Sequence, residues 1–406
     1  MSNEVADPDS WPPAGVRGIN LDTVMEIVRR RPEVTRSELI RLSGLSKATV
    51  SGIVGELLDH DFVVESGKLS AGRGRRHVLL SFNPGARLVL GAQVEDDSCT
   101  VVLTDLDSTV RHRTTRPIHG QDPELILDAV TDAANELRAE ATTPILGAGI
   151  GVPGDVDRSG RTVTVAVSHG WKDLAIAERL EARLGLSVVA ANRAKVAALG
   201  HLRRDDRQRV DNLVYVFLGR GIVAGIVIDG RLYFGRDGAA GDIGHVTVRR
   251  EGALCACGNE GCLHTVAAED AILRLARAAA RQPDASGLLV ELTNGRLSDL
   301  SLATVAAAAA RDDADVRAVL AEVGSDIGVV VANLVNTLSP DVVVLGGPTA
   351  RLGEHLLGPI RSEIARRTLP EIFATLDISE SFDDGETGAA GAAALYVSQL
   401  RSVLDT

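Results

Sequence analysis

Three of the four cysteines stand within eight residues, Cys255-Ala-Cys257-Gly-Asn-Glu-Gly-Cys262, and His245 precedes them in Ala-Gly-Asp-Ile-Gly-His. One imidazole and three thiolates make a closed tetrahedral zinc set that leaves no position for water or substrate. A chain carrying it must bring residues 245 and 255–262 to one point, and the zinc expected there is structural. The other reading is that the cysteines are small buried apolar residues. Gly258, Gly261 and the tight spacing favour a metal-gripping loop.

The rest of the composition narrows the class. At 406 residues and 45% hydrophobic the chain has room for two or three domains, and with aromatics at 3% their cores must be built from Ala, Val, Leu and Ile. No run approaches 18 consecutive apolar residues, and the polar start, Met1 to Pro13, lacks the basic-then-apolar order of a signal peptide. A cytoplasmic protein without a membrane partner is expected. Cys99 by itself gives no disulfide framework, which suits a reducing compartment. The net charge is −12, yet residues 16–90 carry twelve Arg or Lys against eight carboxylates. A basic segment on an acidic body is expected where one end meets a polyanion.

Residues 1–15 read as a disordered tail and 16–84 as a DNA-binding unit. Leu21, Val24, Met25 and Val28 recur at helical spacing from Asn20 to Arg30. Thr35 with Glu38 is a capping box that opens a second helix. Gly44 supplies a turn, and Ser46 caps a third helix whose buried face is Val50, Ile53, Val54, Leu57 and Leu58. That is a helix-turn-helix, and its outward residues Ser46, Lys47, Ala48, Thr49 and Ser51, with Arg36, are the candidate DNA contacts. Strands at 62–64 and 77–80 flank Gly72-Arg73-Gly74-Arg75-Arg76, a basic wing whose Arg73, Arg75 and Arg76 suit a minor groove. A plain pair of packed helices and a solvated charged loop are the commoner sources of each pattern alone. Their coincidence with local positive charge points to double-stranded operator DNA as partner.

Beyond Asn83-Pro84-Gly85, strands and helices alternate twice. Strands are expected at 88–92, 100–106, 145–152 and 187–191, with helices at 123–139, 173–184 and 194–202 and a glycine-bearing loop at 153–170. Strands follow at 213–218, 223–228 and 341–345, alanine-rich helices at 267–335, and a closing helix at 388–401. The pattern predicts two α/β lobes around a cleft: 85–202, completed by the closing helix within 386–402, and 203–385 with the zinc motif.

Gly-Leu-Ser-Lys-Ala-Thr-Val-Ser at 44–51, Gly-Val-Pro-Gly at 151–154, Ala-Gly-Asp-Ile-Gly-His at 240–245 and Cys-x-Cys-Gly-x-x-Gly-Cys at 255–262 resemble the ROK family of repressors, open reading frames and sugar kinases. The resemblance runs from about Asn20 to Val397 and is strongest with the branch of transcription factors. It implies an N-terminal winged helix-turn-helix followed by a two-lobed, actin-like or sugar-kinase-like α/β body. It also implies a sugar or ATP in the cleft, structural zinc, and a homodimer or tetramer.

Departures from the family's kinases distinguish the branches. Where those resemble Asp-x-Gly-Gly-Thr, this chain has Gln93-Val94-Glu95-Asp96-Asp97, and three carboxylates repel phosphate. The second phosphate loop, resembling Gly-Thr-Gly-Ile-Gly, reads Gly219-Arg220-Gly221-Ile222-Val223. The position of the catalytic aspartate in Glu-Asn-Asp is Arg193, which cannot act as a base because its pKa stays above about 12. No phosphoryl transfer is expected. The resemblance implies effector contacts at Ser168, Asn192, Arg193, Asp242, His245 and His264, of which Asn192 and His245 match the family's residues. Arg193, with Arg220, has two readings: a grip on a phosphorylated or acidic sugar, or an internal ion pair with Glu95, Asp96 or Asp97. The functions in competition are a sugar-responsive DNA-binding regulator, a sugar kinase with an accessory DNA domain, and a ligand-blind DNA binder.

Overall fold

Local capping sets the geometry of the N-terminal head. In the computed structural model, which describes residues 16–71, 75–204, 210–382 and 385–402, α1 (Val16–Arg29) leads through a short strand β1 (Val34–Thr35) to α2 (Arg36–Ser43) and α3 (Lys47–Asp59). Thr35 and Glu38 cap each other's backbone across 2.9 and 3.2 Å, and Gly44 ends α2 in the left-handed region at φ 70°. Ser46 then accepts the Thr49 N–H at 3.1 Å and starts α3, so the turn between the helices is fixed at both ends. Strands β2 (Val63–Ala71) and β3 (Arg75–Phe82) form the wing, and β1 joins their sheet beside β3. The expected tail at 1–15 and the wing residue Arg73 lie outside the described residues.

The body repeats one strand order. In the first lobe β4 (Leu88–Val94), β5 (Ser98–Asp105) and β6 (Val110–Pro117) form a meander, with β7 (Ile145–Val152) and β11 (Val188–Asn192) added parallel to β4 on the other side. In the second, β12 (Leu213–Leu218), β13 (Ile222–Ile228) and β14 (Arg231–Leu232) form the meander, and β15 (Val342–Gly346) and β16 (Asp377–Ser381) are parallel to β12. Meander then two parallel strands, twice, is the duplicated half of a two-lobed kinase-like fold. Helices α4 (Pro123–Glu140) and α5 (Ile176–Leu184) cover the first sheet, and α6 (Arg193–Arg204) leaves β11 directly. The second lobe adds α7 (Leu263–Ala267), α8 (Glu269–Ala279), α9 (Leu288–Leu292), α10 (Leu302–Ala310), α11 (Ala314–Leu338), α12 (Glu354–Arg367) and α13 (Pro370–Phe373). The last helix, α14 (Glu386–Ser402), returns to the first lobe and lies across α6.

Several boundaries depart from the sequence reading. The expected loop at 153–170 contains β8 (Asp155–Val156) and β9 (Val163–Ala166), which pair with β10 (Trp171–Leu174) as a small third sheet. The helix expected from Asp173 therefore begins at Ile176. Strands β6 and β16 and helix α12 were not anticipated. Helix α11 is long and apolar enough by composition to cross a membrane, but Leu320, Val323, Ile327 and Val331 are at most 1% exposed inside the second lobe's core. Burying such side chains stabilises the lobe by about 2 kcal/mol each.

Head and body share a core. One apolar cluster runs from Leu21, Val24 and Val54 through Ala86, Val89 and Leu106 to Val196 and Leu199 of α6 and Ala392–Tyr396 of α14. Arg29 reinforces it by donating to the Leu106 carbonyl at 3.1 Å and the Asp107 carboxylate at 3.0 Å. The crossing of α6 and α14 depends on two glycines. A Cβ on Gly391 would sit 1.8 Å from the Val196 carbonyl oxygen, and one on Gly200 would sit 1.9 Å from that of Thr387.

Candidate functional site

The exposed side of α3 is the first candidate surface. Val50, Ile53, Val54 and Leu57 face the head's core, leaving Ser46, Lys47, Ala48 and Ser51 exposed. Thr49 is partly buried, and its hydroxyl lies 2.8 Å from that of the Ser46 cap, so both hydroxyls also serve the helix start. Arg36, Lys47 and Ser51 line one groove of about 250 Å³ with Ser37 and His77, two residues the sequence reading did not single out. Backbone pairing places Arg75 and Arg76 opposite Ala71 and Ser70 at the end of the wing.

The Cys/His set closes into one cluster. The ligand atoms of His245, Cys255, Cys257 and Cys262 all lie within 4.8 Å of one another. His245 Nδ1 is 3.6 Å from Cys255 Sγ, and the sulfurs of Cys257 and Cys262 are 3.7 Å apart. Ligands about 2.3 Å from a tetrahedral metal stand about 3.8 Å apart, so the donor set fits zinc in both chemistry and spacing. Gly261, at φ 68°, makes the knuckle: a Cβ there would fall 1.6 Å from the Arg249 carbonyl oxygen. Burial and the neighbouring thiols hold the Cys262 thiol above its ordinary range, a cost that a bound cation reverses.

Between the lobes lies a densely charged cleft. Lys195, 1% exposed, donates to the Gly238 carbonyl at 2.6 Å, and its ammonium is the counter-charge of Asp155 and Asp242. These carboxyls share a hydrogen bond; burial, then the charge of Asp242, pushes Asp155 up to about 6, and burial raises Asp242 as well. His264 lies beside His245 with ring centroids 6.1 Å apart, and burial holds its pKa down. Asn192 is committed at both ends of its amide, donating to the Gly154 carbonyl at 2.8 Å and accepting the Ala194 N–H at 2.9 Å. Ser168 bonds His169 Nδ1 at 2.9 Å. Arg193 lies over the Phe217 ring, 4.0 Å from its centroid, and its Nη1 reaches Asp96 at 3.1 Å and Glu95 at 3.4 Å.

Contacts link the candidate effector residues in two groups: Asp242, His245 and His264 beside Asp155 and Lys195, and Arg193 with Ser168 through His169 and Asp96, where internal carboxylates hold the guanidinium. Asp155 and Lys195 were missed from sequence. The available signal was a lysine two positions after Arg193 in the otherwise apolar start of α6.

Duplicated α/β lobes with a charged cleft, a cysteine-histidine knuckle and a winged helix fused in front define a sugar-kinase-like body adapted to a DNA-binding head. The chain belongs to the ROK family, whose model matches residues 89–399. It is similar to the xylose repressor of Caldicellulosiruptor bescii, 29% identical over 95% of this chain and 97% of the relative. A glucokinase of Halalkalibacterium halodurans is 31% identical, over 71% of this chain and 88% of the relative. Among solved structures, a ROK family transcriptional regulator, a homologue of the E. coli MLC protein, superposes with a TM-score of 0.78 at 28% identity, covering 96% of this chain and 98% of that one. The repressor and regulator likenesses include the head; the glucokinase likeness leaves more than a quarter of the chain unmatched.

Proposed function

We propose that this chain is a sugar-responsive transcriptional repressor that binds operator DNA through α3 and the wing and binds its effector in the interlobe cleft. The observation that carries the reading is the continuous core joining head to body. Helix α6 begins at Arg193 in the cleft, and its Val196 and Leu199 belong to the apolar cluster that includes α1 and α3. A ligand that favours one lobe arrangement can thereby change how the head is presented. The working units are 16–84 for DNA, 85–202 with 386–402 for the first lobe, and 203–385 for the second. Two copies present two heads to two half-sites, the usual arrangement for such readers.

The contacts proposed for DNA are Arg36, Ser46, Lys47, Ala48, Thr49, Ser51, Arg73, Arg75 and Arg76. Replacing Arg75 and Arg76 with alanine is expected to weaken binding to all sequences and to flatten the salt dependence by about 0.9 in slope for each phosphate left unneutralised. Replacing Lys47 or Ser51 is expected to change which operator is selected from a random pool. An unchanged selection profile removes them from the reading set.

The contacts proposed for the effector are Ser168, Asn192, Asp242, His245 and His264, with zinc on His245, Cys255, Cys257 and Cys262 stiffening the loop that carries the histidines. Because Arg193 is held by Asp96 and Glu95, a neutral sugar enters at less cost than a sugar phosphate. Xylose repressors among the relatives support a pentose or hexose. Calorimetry is expected to show tighter binding of the neutral sugar than of its phosphate; the reverse order returns Arg193 to the role of phosphate ligand.

The likeness to a glucokinase keeps a kinase as the second reading. An arginine at the base position and three acids on the phosphate turn speak against it. Sugar-dependent ATP turnover lost in Arg193→Ala establishes the kinase instead.

A further inference from the structure

We propose that Asp96 is an internal anion held where two arginines and a histidine converge, fastening the two lobes together. Asp96 lies on the turn between β4 and β5 in the first lobe. Three cationic or donor groups from separate segments converge on its carboxylate: Arg193 Nη1 at 3.1 Å, Arg220 Nε at 4.0 Å and His169 Nε2 at 3.7 Å. Arg193 begins α6, His169 ends a turn after β9, and Arg220 sits on the β12–β13 turn of the second lobe. The Arg193 side chain is 4% exposed and that of His169 is 1% exposed, while Arg220, at 40%, reaches in from the solvent side. Charged donors converging on one point from several elements are how proteins hold an oxyanion.

Here the oxyanion is covalently part of the chain. Glu95 shares Arg193 at 3.4 Å, and Gln121, with its amide turned to satisfy both partners, gives Arg220 a second acceptor from the first lobe. The β4–β5 and β12–β13 turns hold corresponding places in the two repeated sheets, so the contact joins equivalent points of the two lobes. Phe217, which supports Arg193 from β12, belongs to the second lobe too. Opening the lobes must therefore draw Arg220 and Phe217 away from Asp96 and Arg193. Beyond the contact lies a cleft of about 820 Å³ whose lining carries Glu95, Asp96, Asp97 and Glu269 together with Arg113, Arg220 and Arg351. The latch does for closure, without a nucleotide, what a bound phosphate does when two loops grip it.

Asp96→Asn keeps the shape and removes the charge. Titrated calorimetrically with inorganic pyrophosphate, the full-length variant is expected to bind about tenfold or more tightly than the unaltered protein, since the carboxylate shared by both arginines is gone while Glu95 stays 3.4 Å from Arg193 alone. Adding Arg220→Ala should abolish the gain. A folded Asp96→Asn variant that binds pyrophosphate no better than the unaltered protein overturns the proposal. Arg220→Gln provides an independent arm that leaves Asp96 paired with Arg193. Amide exchange in the 94–98 turn is expected to accelerate about tenfold when the interlobe arm is removed, and unchanged protection there contradicts the fastening role.

Discussion

Replacement of Cys262 by serine is expected to lower the melting temperature of the full-length protein by roughly 10 °C, a loss of about 4 kcal/mol for a domain of this size. Cys262 is fully buried and immediately precedes α7, which carries His264. Its sulfur is held against Cys257 and the His245 carbonyl, so a serine there loses a metal ligand and leaves the other thiols crowded without a cation. Backbone bonds such as Cys255 N–H to Asn259 and Gly261 N–H to Ala253 shape the loop, but its sheet-like pairings among the described residues are two isolated bridges, Thr247 to Cys262 and Leu254 to Glu260. Metal analysis should give one zinc per chain in the unaltered protein and none in the variant. Chelation should reproduce the loss in the unaltered protein and add nothing in Cys262→Ser. Sugar response should fall with stability, because the same loop carries His245 and His264, two of the proposed effector contacts. A zinc-free protein with unchanged melting and sugar response sinks the metal assignment.

Lys195→Ala is expected to be as damaging, about 3 to 5 kcal/mol, because removing one member of a buried charged group leaves the others uncompensated. The Gly238 carbonyl loses its donor, and Asp155 and Asp242 face each other without the ammonium. The defect should depend on pH in a defined direction. The folded-state pKa of Asp155 is raised from 3.8 to about 6, so its contribution is fully present below 3.8 and is lost as the pH rises through about 6. Taking away Lys195 raises that pKa further and makes ionisation costlier. The gap between variant and unaltered protein should therefore widen from pH 5 to pH 8 in chemical denaturation. Adding Asp155→Asn should narrow the gap at pH 8. A gap of the same size at both pH values shows that lost packing, not lost charge, is responsible.

Features confined to a short stretch of sequence were the ones that could be read from it. The Thr35–Glu38 box, the Ser46 cap and the Gly44 turn each act within a few residues, and all three are present as expected. The cysteine knuckle is similar: its residues meet because the loop is short, and only His245 comes from outside it. Strands β6 and β16 escaped notice because they lie on sheet edges. Residues 111–113 of β6 are all exposed and include two arginines and a histidine, and β16 has one buried residue, Ser381. Neither carries the alternation by which a half-buried strand is read. Helix α12 contains Pro359, which argues locally against a helix, while Leu356, Leu357, Ile360 and Ile364 are held by the second lobe's core. In the site, Lys195, Asp155 and Asp242 come from three segments that only the closed lobes bring together. No spacing rule connects them. The carboxylates facing Arg193 were anticipated because the family resemblance aligned both turns with phosphate loops; the geometry selects Glu95 and Asp96.

The head, its shared core with α6 and the charged cleft converge on one mechanism, in which a sugar between the lobes changes how this protein holds DNA. Fluorescence anisotropy of the full-length protein on its selected operator, titrated with neutral pentoses and hexoses at fixed salt, tests it most directly. The expected result is salt-dependent, sequence-specific binding that one neutral sugar weakens at least about tenfold, a coupling of about 1.4 kcal/mol, with no ATP consumed. Operator affinity indifferent to every sugar, or hexose-dependent ATP turnover without sequence-specific binding, would contradict it.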